Sequence, residues 1–186
     1  MFSRSPIRPT DIVFLGDSLT EAFDLEYYFK VTNIRNRGIS GDTTYQVRYR
    51  LEEILKARPQ KLFLMIGIND FFQGNDEITI LRHIASILLE FQQQSPQTEI
   101  FVQSVLPVNS SATFSDENLN LAIFSLNDGL RIVCRESHIH FVDIYGDFLN
   151  DKGEMDEKYT YDGVHLSKEG YDLWARLIAP LVVKIT

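Results

Sequence analysis

The sequence predicts an α/β fold, a three-layer α/β/α sandwich with a flavodoxin-like, five-stranded parallel sheet at its centre. Four short apolar runs and one weaker run have the length and the flanking residues of buried strands. Between them lie stretches in which apolar residues recur at intervals of three and four, as on the buried face of a helix. Strands that alternate with helices form parallel sheets that are covered on both faces.

The strands are predicted, in chain order, at residues 12–15, 33–37, 62–66, 99–105 and 139–144, of which the second has the weakest pattern. Three long helices are predicted from apolar stripes that run through residues 81–91, 119–133 and 171–182. Each stripe would face the sheet and leave the charged residues to water. The least regular stretches, 107–115 and 145–161, are longer than most connections, and such loops are often functional.

Length and charge restrict the kind of protein that this chain can be. Its 186 residues fit a single domain over residues 1–186. The net charge of −8 opposes binding to nucleic acid and to anionic membrane surfaces. No apolar run approaches the about 20 residues of a spanning helix, the first residues lack the apolar core of a signal peptide, and a single cysteine excludes an intrachain disulfide. We therefore expect a cytoplasmic protein without nucleic-acid partners or stable membrane insertion.

Residues with complementary chemistry follow the predicted strands. Ser18 lies in a Gly-Asp-Ser-Leu segment after the first strand, Gly38 follows the second, and Asn69 lies in a Gly-Ile-Asn-Asp segment after the third. An Asp-Gly-Val-His segment with Asp162 and His165 precedes the last helix. Ligands of doubly wound sheets bind at the carboxyl ends of the strands. We therefore expect these side chains to converge on one edge of the sheet.

This set of residues is the one that acyl transfer needs. A serine hydroxyl is a weak nucleophile until a base takes its proton, and His165 is the candidate base for Ser18. Asp162, three residues earlier, is near enough in a turn to orient the imidazole. The Ser18 amide, the Gly38 amide and the Asn69 side chain are candidate donors to the developing oxyanion. Gly38 has no Cβ and would let the substrate approach the backbone. The reaction needs no metal and no cofactor.

Each of these motifs also has a simpler structural interpretation. Gly-Asp-Ser after a strand is often only a helix N-cap, and Asn69 and Asp70 are common turn residues. Gly38 and Gly41 fit an ordinary turn, and His165 fits the start of a helix. Four such coincidences in the right order are less expected than any one of them. Their joint occurrence favours a catalytic site.

Four short segments resemble the sequence blocks of the SGNH hydrolases, also called GDSL esterases and lipases, namely 16–19, 38, 67–70 and 162–165. The stretch 36–44 is similar to the branch that contains the catalytic subunits of intracellular platelet-activating-factor acetylhydrolase. The resemblance implies a flavodoxin-like α/β/α fold, with a Ser-His-Asp triad and an oxyanion hole at the residues named above. A related branch forms dimers, so a homodimer is an expectation here.

Two pairs of residues carry weaker patterns. His138 and His140 would share one face of a strand and could ligate a metal ion. A pair without a nearby third ligand is more often structural, so no metal site is expected. Phe71 and Phe72 follow the Asn69 motif and could line an acyl pocket, although core packing explains them equally well.

Four further residues have expected structural roles. His83 should lie on the exposed side of a helix. Asp17 and Asp42 should cap helices. Cys134, near the end of a helical stripe, should be a small buried residue.

The sequence predicts a serine acylhydrolase that cleaves small-molecule carboxylic esters through an acyl-enzyme. The short chain without an added lid favours short acyl groups. Within the family, a thioesterase or a carbohydrate acetylesterase is the alternative. Outside this activity, one alternative is a flavodoxin-like module that binds phosphate or flavin at a helix N-terminus. The other is a family member that binds a glycan or a lipid without turnover.

Overall fold

The computed structural model describes residues 5–110 and 118–183, and its strands form one parallel sheet. The strands are β1 (Ile12–Gly16), β2 (Ile34–Gly38), β3 (Lys61–Met65), β4 (Glu99–Gln103) and β5 (His140–Val142). They lie side by side in the order β2-β1-β3-β4-β5, which is the flavodoxin-like order. The predicted fold class is confirmed. Each predicted strand overlaps an observed one, and β5 is shorter than the predicted 139–144.

The described helices connect these strands and include the three predicted from apolar stripes. They are α1 (Ser18–Glu21), α2 (Leu25–Phe29), α3 (Thr44–Tyr49), α4 (Glu52–Ala57), α5 (Ile68–Phe72), α6 (Glu77–Gln94), α7 (Leu119–Glu136) and α8 (Lys168–Val182). The stripes lie in α6, α7 and α8. The other helices span one or two turns, too few for an apolar period to show. Part of the irregular stretch 107–115 lies outside the described residues.

Two apolar cores lie on opposite faces of the sheet. Alternate strand residues point to opposite faces, so that Val13 and Leu15 pack with α3, α4, α6 and α7, whereas Phe14 packs with α1, α2 and α8. Phe14 stacks on Phe63, and Phe63 stacks on Phe101, with 4.7 Å between the ring centroids in both pairs. This aromatic row runs across β1, β3 and β4 and favours one register of the sheet.

The register brings the ends of three neighbouring strands, β2, β1 and β3, to the same level. Gly16 at the end of β1 is paired with Gly38 of β2 on one side and with Met65 of β3 on the other. The segments that leave these strands therefore start side by side at the carboxyl edge. Among the described residues, no helix is both long enough and apolar enough to cross a bilayer.

Candidate active site

Ser18 is the first residue of α1, directly beyond the end of β1. Asp17 caps this helix, as predicted, because its carboxylate accepts a hydrogen bond from the Leu19 N–H at 3.0 Å. A Cβ at Gly16 would lie 2.3 Å from Thr20 Oγ1, so only glycine allows the close packing of this turn. The first N–H of a helix has no acceptor within the helix. Ser18 therefore presents both a hydroxyl and an N–H at the sheet edge.

The imidazole of His165 lies between Ser18 and Asp162. Its Nε2 is 3.0 Å from Ser18 Oγ, and its Nδ1 is 2.6 Å from Asp162 Oδ2. The other carboxylate oxygen, Oδ1, accepts hydrogen bonds from the backbone N–H groups of Val164 and His165 at 3.0 and 2.7 Å. The three residues predicted from the sequence thus form one hydrogen-bonded chain in the order that nucleophilic catalysis requires.

The surroundings of Asp162 favour its ionised form. Burial acts to raise the pKa of this carboxyl, but the hydrogen bonds from the His165 ring and from the N–H groups of Val164 and His165 hold the pKa below its usual range. An ionised carboxylate can stabilise the imidazolium that forms when His165 takes a proton. The ring of Tyr161 stacks on the imidazole, with centroids 5.8 Å apart and planes 13° apart.

A network of side-chain and backbone hydrogen bonds fixes the loop that carries His165. Thr160 Oγ1 donates to the His165 carbonyl at 2.7 Å and accepts from the Gly163 N–H at 2.8 Å. Gly163 has a φ of 94°, a conformation that favours glycine. Its carbonyl accepts a hydrogen bond from the Asn109 N–H at 2.8 Å. The position of the imidazole is therefore set by contacts on both sides of the loop.

Asn69 lies in the first turn of α5. The residue before this helix is Gly67, which has a φ of 138°. The Asn69 Nδ2 donates to the Asp42 carbonyl at 2.9 Å. A carboxamide nitrogen carries two protons. One proton therefore anchors the side chain, and the second can bind a ligand.

The close approach predicted at Gly38 exists, but its partner is not a substrate. A Cβ at Gly38 would lie 2.1 Å from the backbone nitrogen of Glu21, so the missing side chain makes room for the end of α1. This corrects the steric reason given for Gly38 in the sequence analysis. The Gly38 N–H donates to Asn36 Oδ1 at 2.8 Å and is therefore already occupied.

Gly41 has the features that were expected at Gly38. It lies in a tight turn, in which the Asp42 N–H donates to the Ile39 carbonyl at 3.1 Å, and its φ is 81°. A Cβ at Gly41 would meet no atom within 4 Å, and its N–H has no acceptor among residues 5–110 and 118–183. Because Asp42 binds Asn69, Gly41 lies next to the Asn69 amide. Gly41 is the second glycine of the Gly-Ile-Ser-Gly segment that begins at Gly38. Both glycines follow the same strand, so position alone does not show which N–H is free.

Two expected side-chain roles are wrong. Asp42 caps no helix, because Thr43 is the N-cap of α3, and the Asp42 carboxylate binds Arg50 Nε at 2.6 Å instead. His83 does not lie on the exposed side of its helix. It is half-buried, and its Nδ1 is 3.0 Å from Thr44 Oγ1. Both residues bind side chains from segments that are not their sequence neighbours, which a helical pattern does not reveal.

The weaker candidates have different outcomes. Cys134 is buried, as predicted. Phe71 packs against the core, whereas Phe72 is 48% exposed at the end of α5, so a contact with substrate stays a prediction. In the part of the chain that the structure describes, which includes His138 and His140, no three or more His, Cys, Asp and Glu side chains are grouped to hold a metal ion.

A small cavity of about 10 Å³ lies beside the triad. Its wall contains immediate neighbours of Ser18, Asn69 and His165 in the chain. The wall is almost entirely apolar and includes Leu19, Ile68, Val105, Leu106, Val108 and Val164. A space of this volume holds about one water-sized group. The polar exception in the wall is Asp17.

Asp17 is 1% exposed. Burial raises its pKa to about 7, although the Leu19 N–H and the nearby His165 act to lower it. Because the folded protein holds this proton more tightly than the unfolded chain does, the contribution of Asp17 to the free energy of unfolding should fall as the pH rises from about 4 to about 7. This decrease is about 1.4 kcal/mol per pH unit within that window.

Asp17→Asn should therefore become more stable relative to wild type as the pH rises through this window, because asparagine does not ionise and can still cap α1. Urea unfolding of both proteins at several pH values measures the difference. A stability difference that is independent of pH between 4 and 7 would show that the Asp17 pKa is not raised.

Residues 14–173 match the model of the GDSL-like Lipase/Acylhydrolase family. This match covers more than half of the chain. The chain belongs to this family. The predicted enzyme class, an acylhydrolase of the esterase and lipase type, is thereby confirmed, and the alternative of a non-catalytic flavodoxin-like module is not supported.

Known proteins resemble this family member in sequence and in fold. Subunit alpha1 of bovine platelet-activating factor acetylhydrolase IB is 26% identical over 183 residues, covering 94% of this chain and 76% of the relative. A GDSL-like lipase from Bacteroides thetaiotaomicron has a TM-score of 0.83 at 28% identity, covering 94% of this chain and 88% of the other. A variant of an acetyl-xylooligosaccharide esterase from Geobacillus Stearmophilus shares the fold, with a TM-score of 0.74 at 20% identity and 95% coverage of both chains.

Proposed function

We propose that this GDSL-family acylhydrolase is a serine esterase in which Ser18 is the nucleophile, His165 the general base and Asp162 the residue that orients the base. The observation that carries the proposal is the chain of contacts from Ser18 Oγ to His165 Nε2 at 3.0 Å and from Nδ1 to Asp162 at 2.6 Å. Its position at the carboxyl edge of the sheet, where such folds bind ligands, supports it further.

The reaction follows from the positions of these atoms. Ser18 Oγ attacks the ester carbonyl while its proton passes to His165 Nε2. Collapse of the tetrahedral intermediate breaks the bond to the alcohol oxygen, which takes the proton from Nε2 and leaves. Water then attacks the acyl-enzyme and gives a proton to Nε2. This proton returns to Ser18 Oγ as the acid is released, which regenerates the starting enzyme.

The oxyanion hole that we propose contains the Ser18 N–H, the Gly41 N–H and the Asn69 Nδ2. It differs at one position from the sequence prediction, because the Gly38 N–H is bound by Asn36. Support for Gly41 comes from its unbound N–H and from the bond between Asn69 and the adjacent Asp42. Three donors fixed before the substrate arrives stabilise the developing charge without reorganisation.

We further propose that the preferred acyl group is short, with acetyl as the best fit. The cavity that is lined by neighbours of Ser18, Asn69 and His165 is about 10 Å³, and most of its wall is apolar, so a longer acyl chain that entered it would have to displace side chains of the wall. The name of the bovine relative, an acetylhydrolase, agrees with this size.

Hydrolysis of p-nitrophenyl esters should be fastest for acetate or propionate, and kcat/KM should fall steadily from butyrate to octanoate. Val164→Ala should shift the preference toward butyrate, because the shorter side chain enlarges the cavity that Val164 lines. Val182→Ala is the matched control. Val182 is a buried valine near the end of α8. The neighbouring Leu181 binds Lys61 at the start of β3, which is the end of the strand opposite to the site. A rate maximum at octanoate in the wild-type enzyme would contradict the short-chain proposal.

A further inference from the structure

A second hydrogen-bonded cluster lies next to the proposed oxyanion hole and has no part in the mechanism above. At its centre is Asp70, which follows Asn69 in α5 and is 0% exposed. Asp70 Oδ2 accepts a hydrogen bond from the Thr44 N–H at 2.8 Å, and Oδ1 accepts one from Thr44 Oγ1 at 2.6 Å. His83 Nδ1 lies 3.0 Å from the same hydroxyl oxygen. Thr44 is also fully buried, so this cluster cannot itself reach a substrate.

The cluster joins the same two segments that the Asn69 amide joins. Asn69 binds the carbonyl of Asp42, and the next residue of α5, Asp70, binds Thr44, two residues beyond Asp42. The start of α5 and the segment that leads into α3 are therefore linked at two adjacent points. A single hydrogen bond leaves the carboxamide free to pivot, whereas the second link fixes its position relative to the Gly41 turn.

We propose that Asp70 is a positioning residue, which holds the Asn69 amide and the turn at Gly41 in the arrangement that binds the oxyanion. This inference rests on the proposed function of the site. An apolar side chain would be less costly to bury than a carboxyl. However, it would leave the Thr44 N–H without its acceptor and would remove the link between α3 and α5. Small displacements of groups that act in the transition state reduce rates strongly, so the carboxylate should matter for kcat.

Asp70→Asn tests this role with little change in side-chain volume. The carboxamide oxygen can accept from the Thr44 N–H, but its NH₂ group then faces Thr44 Oγ1, so the hydrogen bond between this hydroxyl and residue 70 is reversed and the hydroxyl proton must turn toward His83 Nδ1. We expect kcat for p-nitrophenyl acetate to fall about tenfold with little change in KM, because the oxyanion forms only in the transition state.

Asp11→Asn is the matched control. Asp11 is 1% exposed and binds the Arg8 N–H at 2.9 Å and Arg35 Nε at 3.0 Å, but it lies at the opposite edge of the sheet. Both variants should lower Tm. Only Asp70→Asn should lower kcat, which separates positioning from a general loss of stability.

A double-mutant cycle identifies the group through which Asp70 acts. Asn69→Ala alone should lower kcat by about 10²–10³, as loss of an oxyanion donor does. In that background, Asp70→Asn should add less than about a twofold loss, because the amide that it positions is gone. Thr44→Val removes the hydroxyl that donates to Asp70. It should lower kcat in the wild-type background and add little in the Asn69→Ala background, so it tests the same role if Asp70→Asn does not fold.

Equal fold-losses from Asp70→Asn in both backgrounds, or an unchanged kcat in the folded single variant, would overturn the positioning role. Those results would leave the esterase proposal intact as long as turnover by the wild-type enzyme depends on Ser18. Turnover that is independent of Ser18 would instead overturn the proposed function, and this inference with it.

Discussion

Ser18→Ala should lower kcat for short-chain aryl esters by about 10⁴–10⁶, as removal of a triad serine does in other hydrolases. The hydroxyl lies 3.0 Å from His165 Nε2, and alanine offers no atom that could form the acyl-enzyme. The fold should not change, because Ser18 caps no helix and the N-cap of α1 is Asp17. Steady-state kinetics together with circular dichroism would measure both expectations.

Ser86→Ala is a suitable control for this variant. Ser86 lies within α6, and its hydroxyl donates to the Arg82 carbonyl one turn earlier. The same chemical change at this position should leave kcat within about twofold of wild type, since surface substitutions in helices have small effects. Full activity in Ser18→Ala would remove Ser18 from the mechanism.

Asp162→Asn should lower kcat by about 10⁴, the effect of the same change in a serine protease triad. The carboxamide oxygen can still accept from the Val164 and His165 N–H groups, which keeps the loop in place. Its NH₂ group would then face His165 Nδ1 and favour the tautomer that carries its proton on Nε2. That tautomer cannot take the proton of Ser18. A stopped assay with high enzyme concentration and long incubation would measure the residual rate.

The exposed Asp151, in the irregular stretch that precedes Asp162, provides the matched change. Asp151→Asn should leave both kcat and KM near their wild-type values. If Asp162→Asn retained more than about one tenth of the wild-type kcat, orientation of His165 by Asp162 would not be needed, contrary to the role of the third triad member.

The parts of the fold that depend on local pattern were predictable. Buried strands leave apolar runs, and long amphipathic helices leave stripes, so the sheet and α6, α7 and α8 were found from the sequence. That Ser18, Asp162 and His165 lie close together was also predictable. They lie in short segments with distinctive chemistry, of which one follows β1 and the other precedes the last helix, and doubly wound sheets gather such segments at one edge.

The contacts that link distant segments were not predictable. Gly38 and Gly41 look alike in the sequence, and only the packing of α1 on β2 shows which N–H is occupied. Asp42 and His83 fitted helical positions, but their side chains bind Arg50 and Thr44 across segment boundaries. Such pairings depend on the register of the sheet, which no local pattern encodes.

The cavity shows the same limit for the substrate. A short chain favoured small acyl groups only as a general expectation, whereas the cavity of about 10 Å³ supports the proposal of a short acyl group by its size. The wall combines residues from β3, from the segment after β4 and from the His165 loop. These elements are far apart in the sequence, so the size of the cavity follows from the assembled fold alone.

Covalent labelling with diethyl p-nitrophenyl phosphate tests the identity of the nucleophile most directly. An activated serine attacks this reagent and keeps the diethylphosphoryl group, which intact mass and peptide mapping locate. We predict that activity is lost in proportion to the addition of one such group, that the group is on Ser18, and that Ser18→Ala takes up none. Complete inactivation with the label on another residue, or labelling of Ser18→Ala equal to that of the wild-type enzyme, would contradict the assignment of Ser18.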